Sequence, residues 1–276
     1  MQKMLPFLAV LIGGYLMVLL LATVFQRHLI YFPSRAPEEE MLELARSAGC
    51  RPWRNESGEI IGWRNVDSRR EARGRILILH GNAGVALNRT HYLEALELVD
   101  AGRSWEVILF EYPGFGARSG HPGEKALRAA GAEAIDQLMR EDSRPVYLLG
   151  ESIGSGPACA LASDFDAIAG VVLVTPFSSL VDVAVRQYRW LPVRRLLRDR
   201  YDNIKALAGY QRPVVMIIAG HDEMTPPELG RRLHASLSGP SLFIEQPEAR
   251  HNTIDLSPTA PWWKEASEFL LGDDEQ

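Results

Sequence analysis

Apolar and polar positions divide the chain into three kinds of stretch. The first is a single unbroken run from Met4 to Phe25, 22 positions without a charged side chain, mostly Leu, Val, Ile, Phe, Met and Ala. As a helix it is about 33 Å long at ~1.5 Å per residue, enough to cross a hydrocarbon core of about 30 Å. The second kind is a short apolar run bounded by turn residues, the mark of a strand buried on both faces of a parallel sheet. Such runs fall at Arg75 to His80, Trp105 to Tyr112, Val146 to Leu149, Ala167 to Val174, Val214 to Ile218 and Leu242 to Glu245. An earlier strand, Glu59 to Trp63, is expected to pair with a neighbour near Arg51 to Arg54. The third kind is helical. A short helix begins at Pro37 with acids in its first turn, and longer ones are expected over Asn88 to Val99, Gly123 to Arg140, Leu180 to Tyr188, Glu228 to Leu237 and Trp262 to Leu271. Strands alternating with such helices predict βαβ units, hence an α/β fold with a doubly wound, mostly parallel sheet. The stretch from Pro176 to Gln211 exceeds a normal βα connection; it is read as a short helical lid, spanning approximately residues 176–211.

The N-terminal run changes the picture of where the domain sits. A cleaved signal peptide has an apolar core of roughly 7–15 residues followed by a small-x-small site. Here the residues after Leu21 are Ala-Thr-Val-Phe-Gln, with no such pair where the run stops. The expectation is an uncleaved single-pass transmembrane helix over residues 1–27, followed directly by a domain over 28–276. Tyr31 and Phe32 beside Arg27 suit a membrane–water interface, while Lys3 against Arg27 and Arg35 is too small a bias to orient the helix by the positive-inside rule.

Composition adds exclusions. The 276 residues suffice for one large core. A net charge of −5 gives no reason to expect nucleic acid as a partner. Cys50 and Cys159, the two cysteines, have neither a disulfide framework nor a metal-site spacing.

Candidate chemistry centres on Gly150-Glu151-Ser152-Ile153-Gly154. It follows a strand and precedes a helical Pro157 to Ala162, so Ser152 stands at the apex of a strand–turn–helix nucleophile elbow. A serine hydroxyl needs a base, and the base needs an orienting acid. With the chain order serine, acid, histidine, His28, His80, His91 and His121 precede the serine, and His221 lies against the best acid. His234 sits within an amphipathic helix; His251 follows a strand on a loop and is the expected general base. Asp222, just past the strand Val214 to Ile218, is the favoured acid; Glu223 is its rival, with Asp202 and Asp182 behind it. The oxyanion donors are expected at the backbone of Ile153, the residue after the nucleophile, and of Asn82 in His80-Gly81-Asn82-Ala83-Gly84. That loop lacks the phosphate-binding patterns.

With these residues in place, the chain resembles the α/β-hydrolase superfamily over roughly residues 28–271. It is most similar to the membrane-anchored branch that includes depalmitoylating protein thioesterases and lysophospholipid hydrolases. The resemblance rests on Leu29-Ile30-Tyr31-Phe32-Pro33, the His80 to Gly84 loop, Tyr112-Pro113-Gly114-Phe115-Gly116, the elbow, Arg198-Asp199-Arg200-Tyr201-Asp202, Gly220-His221-Asp222-Glu223 and His251-Asn252. It implies Ser152, Asp222 and His251 as a catalytic triad, Asn82 and Ile153 as the oxyanion hole, no metal or organic cofactor, and hydrolysis of a carboxylic ester or thioester. Two departures are Glu248-Ala249-Arg250 before the histidine, where relatives carry a glycine-rich approach, and Thr225, where valine is common and the change looks harmless.

The apolar anchor and a lid rich in arginine (Arg186, Arg189, Arg194, Arg195 and Arg198) suggest an acyl-chain substrate and contact with membrane lipid, against the plainer view that the arginines only solvate the cap. Two rival functions remain in view. One is an aminopeptidase of the same mechanism, with Glu151 as the acid that holds a substrate's amino terminus. The other is a catalytically silent, membrane-tethered scaffold, since fold does not fix function.

Overall fold

The computed structural model describes residues 4–66, 72–99 and 105–272; Lys3, the charge set against Arg27 and Arg35, lies outside them. One eight-stranded sheet organises the molecule. Its strands are β1 (Cys50–Arg54), β2 (Ile60–Asn65), β3 (Gly74–Leu79), β4 (Trp105–Phe110), β5 (Val146–Glu151), β6 (Ile168–Val174), β7 (Val214–Ala219) and β8 (Ser241–Gln246). They lie in the order β8-β7-β6-β5-β3-β4-β2-β1. The pairs β1–β2 and β2–β4 are antiparallel, and every other pair is parallel.

The parallel strands are apolar on both faces because both faces are covered. Along β3, Leu77 and Leu79 join an apolar layer with Leu127, Ile135 and Ala158, while Ile76 and Ile78 join another with Tyr92, Leu93 and Trp263. The first layer is roofed by α4 (Glu124–Glu141) and α5 (Ser155–Asp164), the second by α3 (Thr90–Leu98) and α10 (Trp262–Leu271). From β3 the chain winds to β4 on one side and then to β5 on the other. The carboxyl ends of β3 and β5 therefore flank the crevice where such sheets bind ligands.

The apolar N-terminal run forms helix α1 (Met4–Ile30). It continues past Arg27, where the sequence suggested a boundary, because a charged side chain at a helix C-terminus completes the last turn rather than ending it. The stretch Phe7–Ile30, whose most apolar 18 residues have mean hydropathy 2.5, is long and apolar enough to cross a membrane. Its last turns are not free of the domain. Gln26 is buried and bridges α1 to the lid, its amide donating to the Leu196 carbonyl and its Oε1 accepting from the Arg198 amide at 2.7 Å. Asp199, also buried, accepts from the Arg27 guanidinium and from the Tyr31 hydroxyl. Beyond α1, Phe32 and Pro33 pair in parallel with Ala83 and Gly84.

Short α2 (Glu38–Ser47) follows, as the Pro37 and acidic first turn predict. The lid consists of α6 (Leu180–Gln187) and α7 (Val193–Leu196). It closes at its base where Ser179 pairs with Asp202, after which α8 (Asn203–Leu207) turns back to the body, its Asn203 side chain donating to the Ser155 hydroxyl and the Phe177 carbonyl. The final body helix before α10 is α9 (Pro227–His234).

Candidate active site

Ser152 follows β5 with φ = 53°, a backbone conformation that side chains other than glycine rarely adopt and that persists only where its surroundings enforce it. Those surroundings are glycines. A Cβ on Gly150 would meet the Gly154 carbonyl oxygen at 2.6 Å, and one on Gly154 would collide with the Leu79 carbonyl of the adjacent strand. The turn can be this tight only because both positions lack side chains.

Three separate strand ends supply the groups around the serine. His251 Nε2 lies 3.0 Å from Ser152 Oγ, and His251 Nδ1 lies 2.7 Å from Asp222 Oδ2. Asp222 follows β7 and His251 follows β8; the two loops are tied by the His221 amide donating to the Ala249 carbonyl at 2.8 Å and the Gly220 amide to Gln246 at 2.9 Å. The Asp222 carboxylate is only 1% exposed and the His251 ring 11% exposed. Asp222 Oδ1 accepts from the Met224 and Thr225 amides, which turns Oδ2 toward the imidazole.

Glu223, the rival acid, is exposed and faces Arg250 instead. Asp202 caps α8, and Asp182, in the first turn of α6, accepts from the Ser178 and Ser179 hydroxyls and pairs with Arg232. His234 stacks on Phe243, a packing role. The exposed side chain of Glu248, in the loop that departs from the glycine-rich pattern, faces His221 rather than the site.

Asn82 and Ile153 line the same cavity as Ser152. Among the described residues the Asn82 amide has no protein acceptor, and Ile153 stands in the first turn of the 3-10 helix Ser152–Gly154, where N–H groups lack intrahelical partners. The Asn82 segment is held from α1: the Phe32 amide donates to the Asn82 carbonyl at 2.8 Å, and the Asn82 side chain donates to the Ile30 carbonyl.

Thr225 was missed. Its hydroxyl lies 2.8 Å from Asp222 Oδ2, 3.2 Å from His251 Nδ1 and 3.1 Å from the Thr175 carbonyl. A valine there would offer none of these contacts, so the difference read from sequence as harmless adds a polar group to the acid–base pair.

Glu151, the carboxylate considered for binding an amino terminus, is engaged on both oxygens. Arg89 donates to both, at 2.9 and 3.1 Å, and the Tyr92 hydroxyl adds a third bond. Burial pushes this carboxyl up, but the Arg89 charge and hydrogen bonds outweigh it and hold it below the ordinary range. Its acceptors are spent within the fold.

The cavity over Ser152 has a volume of about 330 Å³ and is walled chiefly by apolar side chains, among them Phe177, Leu180, Val183, Leu191 and Leu197. Such a lining suits a hydrocarbon chain, with Ser152 and two amides as the polar groups that fix orientation.

Comparison with known proteins places this arrangement in context. The family model for the alpha/beta hydrolase fold matches residues 74–209. The uncharacterized protein Rv2307c of Mycobacterium tuberculosis is 33% identical over 235 residues, covering 84% of this chain and 82% of its own. Lysophosphatidylserine lipase ABHD12 of Macaca fascicularis is 26% identical over 241 residues, covering 76% of this chain and 59% of its own. Among solved structures, the Pyrococcus furiosus esterase PF2001 superposes with a TM-score of 0.63 at 17% identity, over 87% of this chain and 97% of that one.

Proposed function

Because the chain belongs to the α/β-hydrolase family, we propose that it is a membrane-anchored serine hydrolase that cleaves ester or thioester bonds of acyl-chain lipids. The observation that carries the reading is the continuous Asp222–His251–Ser152 relay, with contacts of 2.7 and 3.0 Å. In the proposed reaction His251 Nε2 takes the Ser152 proton as Oγ attacks the acyl carbonyl. The Asn82 and Ile153 amides stabilise the oxyanion, and Asp222 stabilises the imidazolium. The imidazolium protonates the departing alcohol or thiol, and His251 then activates water to release the acid from Ser152.

The substrate class is supported by the apolar cavity and by likeness to a lysophosphatidylserine lipase. Location at a membrane is supported by α1. The aminopeptidase reading loses its candidate acid, since Glu151 is held by Arg89. A silent scaffold would have no need for a strained Ser152 aligned with His251.

A fluorophosphonate probe should label the protein, and Ser152→Ala should abolish labelling and lower ester turnover by about 10³-fold or more. Labelling that survives Ser152→Ala would exclude Ser152 as the nucleophile.

A further inference from the structure

Helix α1 is docked along one face. Leu19, Ala22, Thr23, Gln26 and Ile30 are its less exposed positions in the last turns, and they recur at intervals of three and four, as one helical face must. That face carries the lid. Besides the Gln26 bonds, the Tyr15 hydroxyl donates to the Trp190 carbonyl at 2.9 Å, so contact runs from Tyr15 to Ile30, about 22 Å along the helix.

Two consequences follow. First, Ala22, Gln26 and Leu29, on successive turns, line the Ser152 cavity, and Phe32 continues that wall. Second, the undocked part, Met4 to Gly14, is only about 16 Å long, half the hydrocarbon thickness. A span beginning at Met4 needs about 20 residues and ends near Thr23. The Ala22 turn then falls at the interface, and the lid tip at Trp190, 59% exposed, is level with the bilayer's outer edge or below it.

We infer that α1 is a wall of the acyl pocket as well as a tether, and that a long acyl chain moves from the bilayer into the Ser152 cavity along the Ala22–Gln26–Leu29 face without crossing bulk water. The inference rests on the proposed ester-hydrolase reading for what happens to the chain's carbonyl, but chain occupancy can be measured apart from chemistry. Ala22 sets the depth available beside α1, because any larger side chain there projects into the cavity the chain would fill.

The test uses the full-length protein in phosphatidylcholine vesicles, as wild type, Ala22→Trp and Val10→Trp, the last on an exposed position of the same helix that does not line the cavity. A palmitoyl lysophosphatidylcholine bearing a diazirine at the chain end is photolysed, and crosslinks to the cavity segment Phe177 to Val183 are quantified. The expected result is crosslinking in wild type and Val10→Trp, reduced about tenfold in Ala22→Trp, a loss of about 1.4 kcal/mol in occupancy. Absence of crosslinks in wild type, or crosslinks indifferent to Ala22→Trp, would overturn the inference. Parallel hydrolysis of the same lipid and of a soluble butyrate ester separates the two claims. Should wild type crosslink as described yet hydrolyse neither ester, the pocket assignment stands and the ester-hydrolase reading falls.

Discussion

At Thr225 a single hydroxyl touches both members of the acid–base pair, Asp222 Oδ2 at 2.8 Å and His251 Nδ1 at 3.2 Å. A hydroxyl hydrogen bond to a carboxylate contributes about 1.5 kcal/mol or more. Thr225→Val should therefore lower kcat/KM about tenfold, and Thr225→Ser, which keeps the hydroxyl, should retain most of the rate. Equal losses in the two variants would mean that Thr225 acts through packing. Residues differ in how far they can be read from sequence. Ser152 is legible because two glycines and a strand-to-helix transition accompany it. His251 and Asp222 follow from chain order once Ser152 is fixed. Thr225 is not legible, because whether a hydroxyl three positions after an aspartate meets an imidazole depends on how β7 and β8 bring their loops together. Gln26 is a polar residue closing an apolar run, and its buried role in joining α1 to the lid depends on where the lid lands.

Between elements, the ends of neighbouring strands β3 and β4 place His80 and Glu111 3.8 Å apart, both buried. Burial, helped by the Arg89 charge, pushes His80 down from its ordinary 6.5 to about 3. Burial pushes Glu111 up from 4.5 to about 7, against hydrogen bonds from Ala86 and Trp63 and the charges of Arg118 and Arg89. The signs oppose. His80 is held neutral, so its contribution to stability is full above pH 6.5 and is lost as pH falls toward 3. Glu111 favours its protonated form, so its contribution is full below pH 4.5 and is lost as pH rises to about 7. Across pH 4.5–6.5 the two slopes cancel to first order. In Glu111→Gln the His80 slope is left alone. Chemical denaturation of that variant should show stability falling on acidification through this range by up to about 1.4 kcal/mol per pH unit relative to wild type. Parallel pH profiles for the two proteins would contradict the assignment. The strands themselves are readable to within one or two residues, because each is a bounded apolar run. The turn back of α8 onto α5 is not, since only five residues, Asn203–Leu207, form that helix and its anchor is the Asn203 side chain.

For the molecule as a whole, charge on the lid bears on how it meets a membrane. Arg186 pairs with Glu228, and Arg194 lies 3.7 Å from Asp182. Arg189, Arg195 and Arg198 are exposed and have no side-chain partner among the described residues. They lie on the lid that α1 would hold near the bilayer if it is the proposed anchor, where each basic group near an anionic surface is worth about 1 kcal/mol. Hydrolysis of a vesicle-borne lysophospholipid should thus be faster on anionic than on neutral vesicles at low salt. High salt, or replacement of the three arginines by glutamine, should remove the difference. An unchanged ratio would assign the arginines to solvation of the lid. The fold was legible at this scale from the alternation of apolar runs and amphipathic helices. The docking of α1 along the lid was not, because its contacts join residues more than 150 positions apart in sequence.

Ser152 is proposed to carry the acyl group between two half-reactions. Rapid acid quenching of the enzyme during turnover of a slow thioester, followed by peptide mass spectrometry, tests this directly. The acyl mass should appear on the peptide containing Ser152, and accumulate in His251→Ala only far more slowly. Turnover without any acyl adduct, or an adduct on another residue, would contradict the account.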